Sequence, residues 1–169
     1  MKNGEWEIKT LQEQEVREIF TWNYPGEYSV YNLPSWETAK KENYGILQSY
    51  KRENEFFSLY FQQKFTGYFH LYQPDRDRVR LGIGLAPEYC GLGYGKICYR
   101  KVAEFVKMNY GFRFLEVEIR AFNRRAVRCC EKVGFIHEGT VKKNVGAKEV
   151  IYYKMALSLQ EEQPEGTEP

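Results

Sequence analysis

The sequence predicts a mixed α/β domain whose sheet is partly antiparallel. Three observations lead there. Residues 55–62 and 65–72 alternate like two paired strands. An apolar strand-like run, Val79–Ala86, passes through closely spaced glycines into an amphipathic helix-like segment. A further strand-like run, Phe112–Arg120, leads to a second such helix, with Asn123 suited to its N-cap and Gly134 to its end.

Taken in chain order, Trp6–Leu11 reads as the first strand. Glu13–Trp22 reads as a helix with Val16, Ile19 and Phe20 on one face, ended by Pro25-Gly26. Pro34 suits a first helical turn, so a second helix is expected to run to about Ser49. The strands over 55–62 and 65–72 turn near Gln63-Lys64, and Pro74-Asp75-Arg76-Asp77 turns again before the strand from Val79. The helix expected over 97–109 aligns Ile97, Val102, Phe105 and Val106, and Gly111 suits its C-terminal cap. Two last strands bracket a turn near Gly146-Ala147-Lys148.

Composition narrows the class. The chain has 169 residues, enough for one domain with a real core, assigned to residues 1–159. Hydrophobic residues make up 43% and aromatics 17%, which excludes a disordered chain. No apolar run is long enough to span a membrane, and the first residues lack the apolar segment of a signal peptide. Cys90, Cys98, Cys129 and Cys130 form no CxxC pair, so neither a zinc site nor a disulfide framework is expected, and no metal is assigned. Reduced thiols in a cytoplasmic protein are the plain reading. Residues 160–169 hold four carboxylates and no cation, and are expected to be a disordered tail. Without them, 25 cations face 19 carboxylates. This excess is too mild, and too little patterned with aromatics, to indicate a nucleic-acid partner. It suits an anionic cofactor carrying several phosphates.

The most informative stretch is Cys90-Gly91-Leu92-Gly93-Tyr94-Gly95-Lys96, between a strand and a helix. Glycines let backbone N–H groups approach an anion, and the helix N-terminus adds the positive end of its dipole. The dinucleotide fingerprint would require glycine where Lys96 stands. A P-loop would require glycine at Cys90 and a hydroxyl residue at Ile97. Neither pattern fits, so no magnesium-nucleotide site is indicated.

About thirty residues on come Glu116-Val117-Glu118, Asn123, Ala126 and Cys130-Glu131-Lys132-Val133-Gly134-Phe135. Together with the glycine loop, these residues resemble the GCN5-related N-acetyltransferase (GNAT) superfamily. That superfamily joins Arg/Gln-Gly-x-Gly-x-Gly/Ala to a later strand, an Asn and a helix ending Tyr-Glu-Lys-x-Gly-Phe. The resemblance covers residues 56–157 well and residues 5–55 in outline. It implies a splayed central sheet flanked by helices, acetyl-CoA as cosubstrate, and a primary amine of a small molecule or peptide as acceptor. A noncatalytic acyl-CoA-binding module of the same fold is the alternative. A homodimer is one of the oligomeric states left open.

The resemblance also implies roles. Ile83, Leu85 and Ala86 would pair with the pantetheine arm through main-chain atoms, with the Leu85 N–H polarising the thioester carbonyl. Gly91, Leu92, Gly93, Tyr94, Gly95 and Lys96 would hold the pyrophosphate. Asn123 would bond the cofactor arm, cap its helix, or do both. Glu118 would be the base that takes a proton from the ammonium, with Glu116 the second candidate. Cys130 stands where the family's tyrosine acid is usual, and is the candidate proton donor to the departing sulfur; a buried packing cysteine is the competing reading. Tyr152 and Tyr153 are alternative acids, with sheet packing the competing account. Cys90 replaces the family's Arg or Gln, and Lys96, Arg124, Arg125 and Arg128 are available to compensate. The aromatic run Trp22–Asn32 would cover the acceptor entrance. His70 and His137 are given no role.

Overall fold

The computed structural model describes residues 4–160; the acidic tail from residue 161 lies outside the described residues. Seven strands form one sheet in the order β1-β2-β3-β4-β5-β7-β6. Their ranges are β1 Trp6–Thr10, β2 Phe56–Phe61, β3 Lys64–Tyr72, β4 Arg78–Leu85, β5 Phe114–Arg120, β6 Ile136–Val145 and β7 Lys148–Ser158. The helices are α1 Glu13–Ile19, α2 Trp36–Lys41, α3 Ser49–Glu55, α4 Tyr94–Asn109 and α5 Arg124–Val133. Neighbouring strands run antiparallel except β4 and β5, which are parallel and joined through α4.

Strand alternation sorts the sheet into two faces. Val79, Leu81, Leu115, Val117, Ile119, Phe69 and Met155 pack against Cys98, Tyr99, Val102 and Val106 of α4 and Val127 and Cys130 of α5. Each large side chain taken fully from water here, such as Phe69 or Leu115, adds about 1.5–3 kcal/mol. The opposite face is divided. Around β2 and β3 it is covered by the N-terminal segments, with Leu11, Val16, Ile19 and Ile46 packed with Phe56 of β2. Around β4, β5 and β7 the alternate positions are charged: Arg78 and Arg80, Glu116 and Glu118, and Lys154.

Three local expectations change. The single helix expected from Pro34 to about Ser49 is instead α2, ending at Lys41, and a short 3₁₀ turn, Gly45–Leu47, with α3 starting only at Ser49; Ser35 caps α2 through its hydroxyl (Thr38 N–H to Oγ, 3.2 Å). Asn43 stops that helix in a left-handed conformation, φ 56°. The β2–β3 turn is Gln62-Gln63, both at positive φ, one residue before the expected place. Helix α4 begins three residues earlier than periodicity indicated, because the glycine loop feeds directly into it, and it ends without Gly111 as a left-handed cap: Tyr110, extended, donates its N–H to Val106. The caps of α5 stand as read. Asn123 Oδ1 accepts the Ala126 N–H at 3.2 Å, and Gly134 closes the helix at φ 112°.

Candidate active site

The parallel strands β4 and β5 pair at three positions, Arg78–Phe114, Val79–Leu115 and Arg80–Glu116. Beyond that last rung each strand runs on, β4 to Leu85 and β5 to Arg120, with separate partners on their outer sides. The sheet is therefore parted at its centre. Ala86 N–H bonds Thr66 O at 2.9 Å, and antiparallel alternation turns the main-chain groups of Ile83 and Leu85 away from β3 and into the parting. The Leu85 carbonyl already accepts the Tyr24 hydroxyl at 2.7 Å.

Ala86 does not share that orientation. Its N–H is taken by Thr66 and its carbonyl by the Tyr89 N–H at 2.9 Å. A main-chain contact from Ala86 to a cofactor arm would have to share these groups: its N–H extends the ladder to β3 and its carbonyl closes the turn that leaves β4.

The glycine loop follows a short 3₁₀ turn, Pro87–Tyr89. Gly91 and Gly93 both have positive φ, 76° and 84°, and nothing lies within 4 Å of where a Gly93 side chain would begin. Gly93 is the N-cap of α4, so the first amides of a 16-residue helix open beside an empty approach. Gly95 is different. A β-carbon there would meet Cys129 Sγ at 3.3 Å, so this glycine serves the close approach of α5 to α4. The Tyr94 ring is packed among Trp6, Phe61 and Tyr89, leaving its backbone as the part that faces the loop's function. Leu92 is exposed, and Lys96 directs its backbone N–H at Cys129 sulfur.

On the face opposite α4, at the parting itself, lies a cavity of about 350 Å³. Its walls include Arg80, Gly82, Glu118, Lys143 and Tyr152. Glu118 is only 9% exposed and each of its oxygens meets a cation: Oε1 meets Arg80 at 3.1 Å and Oε2 bonds the Lys143 ammonium. Glu116, one alternation earlier, is 1% exposed and held by Arg80 (2.6 Å), Lys154 (3.3 Å) and Arg78 (3.5 Å). Burial pushes the Glu116 carboxyl up, but the bond and charge of Arg80 with the charge of Lys154 outweigh it and hold the group below its ordinary range. Glu116 is thus a structural ion-pair centre, and Glu118 is the carboxylate at the cavity wall. Tyr152 faces the cavity beneath the Lys143 ammonium, 5.4 Å from its ring centre, whereas Tyr153 packs into the core on the other face. His70 also borders the cavity, stacked on Phe56 and bonded to Glu55 at 2.9 Å.

The aromatic run Trp22–Asn32 crosses the mouth of the parting. Tyr24 bonds Leu85 at the end of β4, and the Tyr31 hydroxyl accepts the Asn123 side-chain amide at 3.0 Å beyond the end of β5. Asn123 therefore has both ends engaged, one capping α5 and one holding Tyr31.

Residues 13–135 match the model of the acetyltransferase (GNAT) family. The chain belongs to that family. Among its relatives is the SPbeta prophage-derived uncharacterized N-acetyltransferase YokL of Bacillus subtilis, 23% identical over 156 residues, covering 91% of this chain and 82% of that one. Solved structures with the same fold include an acetyltransferase (GNAT family) from Bacillus anthracis, with a TM-score of 0.71, 14% identity, and coverage of 94% and 98% of the two chains. The spermidine N-acetyltransferase from Vibrio cholerae in complex with CoA and spermine superposes with a TM-score of 0.66 at 16% identity, covering 91% and 95%.

Two positions depart from the GNAT pattern, and the structure accounts for each. Cys90 offers little to an anion, but the Arg125 guanidinium from α5 comes 3.6 Å from the Gly91 β-carbon position and lies over the Tyr28 ring at 3.9 Å. A cation thus stands at the loop by way of another helix. Cys130, the expected proton donor to the departing sulfur, lies in the core and is not among the residues that wall the cavity. It is fully buried between α4 and α5, and burial pushes its thiol up to about 12 despite a hydrogen bond with Tyr99. Its volume and its sulfur serve packing. Arg80 and Lys143, which flank Glu118, were missed in the sequence. The available signal was the matched alternation of Arg78-x-Arg80 with Glu116-x-Glu118 on strands that turn out to be neighbours.

Proposed function

We propose that this GNAT chain transfers the acetyl group of acetyl-CoA directly to a primary amine of a small molecule or peptide. The observation that carries the reading is the parting of β4 and β5, with a glycine-lined helix N-terminus at its end and a carboxylate-walled cavity on the far face. The pyrophosphate would sit at the amides of Gly91 to Gly95 with Arg125 beside it, the Lys96 amide being turned to Cys129. The pantetheine arm would lie along β4, where Ile83 and Leu85 turn their main chain outward, and Asn123 would meet the arm once it exchanges Tyr31 for it. The acetyl group would then reach the cavity.

An alkyl ammonium has a pKa of roughly 10 and cannot attack until it loses a proton. Glu118 is placed to take that proton, directly or through a water. The free amine adds to the thioester carbonyl, whose oxygen is held by the Leu85 N–H. The carbon–sulfur bond breaks, the second amine proton leaves, and the thiolate is protonated. A thiolate is a tolerable leaving group without a dedicated acid, its pKa being roughly 8.5, so the packing role of Cys130 is no obstacle. The spermine-bound relative supports a small-molecule amine as acceptor. Calorimetric titration with acetyl-CoA, followed by thiol release across a panel of amines, tests the reading. Binding with turnover is expected; binding without turnover for every amine leaves a CoA-binding module.

A further inference from the structure

The cavity is charged in an uneven way. Four cations, Arg78, Arg80, Lys143 and Lys154, gather on this face around three carboxylates, Glu116, Glu118 and Glu138. Glu116 is sealed at the floor, and Arg78 is spent on a two-bond pair with Glu138 at 2.9 Å. The charged side chains that wall the cavity are Arg80, Lys143 and Glu118, and Arg80 is already held by Glu116 at 2.6 Å. Of these, Lys143 is the most exposed and rides near the end of the long β6–β7 hairpin.

An acceptor ammonium that reaches Glu118 must compete with Lys143 for the same carboxylate oxygen. A polycation would displace Lys143 and then face its ammonium with nothing to balance it, since Glu116 and the other oxygen of Glu118 are taken up by Arg80. An acceptor bearing both an ammonium and an anion makes an even exchange. Its ammonium takes the place of Lys143 on Glu118, and its anion takes the freed Lys143. The same exchange uncovers the base, since Glu118 Oε2 is released toward the amine whose proton it must accept.

We propose that the acceptor is a primary amine carrying a carboxylate or phosphate, with Lys143 as the residue that selects it. This rests on the acetyl-transfer reading above and names its substrate class. Arg80 secures Glu118 from the other side and keeps the carboxylate in place during the exchange.

The test measures kcat/KM for thiol release with the intact protein and acetyl-CoA. The acceptors are aminovalerate, aminoethyl phosphate, pentylamine, cadaverine and spermidine. Aminovalerate or aminoethyl phosphate is expected to exceed pentylamine and the polyamines by about tenfold or more, a difference of about 1.4 kcal/mol. The two anionic probes separate a carboxylate from a phosphate. Lys143→Ala is expected to level the series and Lys143→Glu to turn it toward spermidine, each leaving acetyl-CoA affinity within about twofold. Faster turnover of spermidine or cadaverine by the unaltered protein, or an unchanged order in Lys143→Glu, overturns the assignment while leaving acetyl transfer standing. Acetyl-CoA binding with no amine acetylated removes the transfer reading and this inference with it.

Discussion

Arg80 and Glu116 form the last rung at which β4 and β5 pair, and their side chains close the same rung with an ion pair of 2.6 Å. The apex of the parted sheet is thus pinned twice, by main chain and by charge. Glu116 is 1% exposed, so its carboxylate is sustained wholly by Arg80, Lys154 and Arg78.

Glu116→Gln should therefore destabilise the fold by about 1.5–3 kcal/mol, because it removes the charge from the buried hydrogen bonds to Arg80, Lys154 and Arg78, while Arg78 keeps Glu138 and Arg80 keeps Glu118. Urea unfolding with a fixed m-value checks this. A loss under about 1 kcal/mol would show that the apex does not depend on the pair.

The same carboxylate should shape acid stability. Its folded pKa lies below its ordinary value of 4.5, so the stabilisation is present above that value and is lost as pH falls through the lower, folded one. The intact protein should lose more stability than Glu116→Gln between about pH 5 and pH 3. Parallel melting curves across that window are the measurement, and identical slopes would contradict it.

Gly93 holds φ at 84° with open space before it. Gly93→Val should cost about 1–2 kcal/mol in left-handed strain, leaving the fold intact, while its branched side chain fills the approach to the α4 amides. Acetyl-CoA affinity should fall by about tenfold or more. Calorimetry on the folded variant decides it, and unchanged affinity would argue against the phosphate cradle.

Glu118→Gln should lower kcat by about a hundredfold, within the range for a lost general base, with a smaller change in acetyl-CoA affinity. The deficit should shrink as pH rises toward the amine pKa of roughly 10, where the acceptor deprotonates without help. A pH–rate profile parallel to that of the intact protein would remove Glu118 as the base.

Cys130→Ala separates packing from catalysis. The thiol is buried, which pushes its pKa up, and it is bonded to Tyr99. Its removal should cost about 1–3 kcal/mol, from lost volume and an unpaired Tyr99 hydroxyl, with kcat within about twofold. A large fall in kcat at unchanged stability would restore the acid role.

Much of this molecule could be read along the chain because the signals are local. Asn123 and Gly134 bracket α5 through backbone bonds within a few residues, and the spacing of Gly91 and Gly93 demands left-handed turns that few other residues accept. The break at Asn43 and the Gln62-Gln63 turn were harder, since neither carries the glycine that usually marks positive φ.

Order and spacing of motifs along one dimension sufficed for the mixed α/β class, the glycine turn at the head of α4 and the candidacy of Glu118. Folding alone settled which charges meet. Arg80 and Glu116 lie 36 residues apart, Glu118 and Lys143 lie 25 apart, and Tyr24 and Leu85 lie 61 apart. Such partners depend on strand order and register. Those follow from how the whole hydrophobic pattern is buried, so short stretches of chain do not encode them. The same physics set Cys130 in the core: its place seven residues after Asn123 is a matter of counting, whereas its burial is a matter of what packs around it.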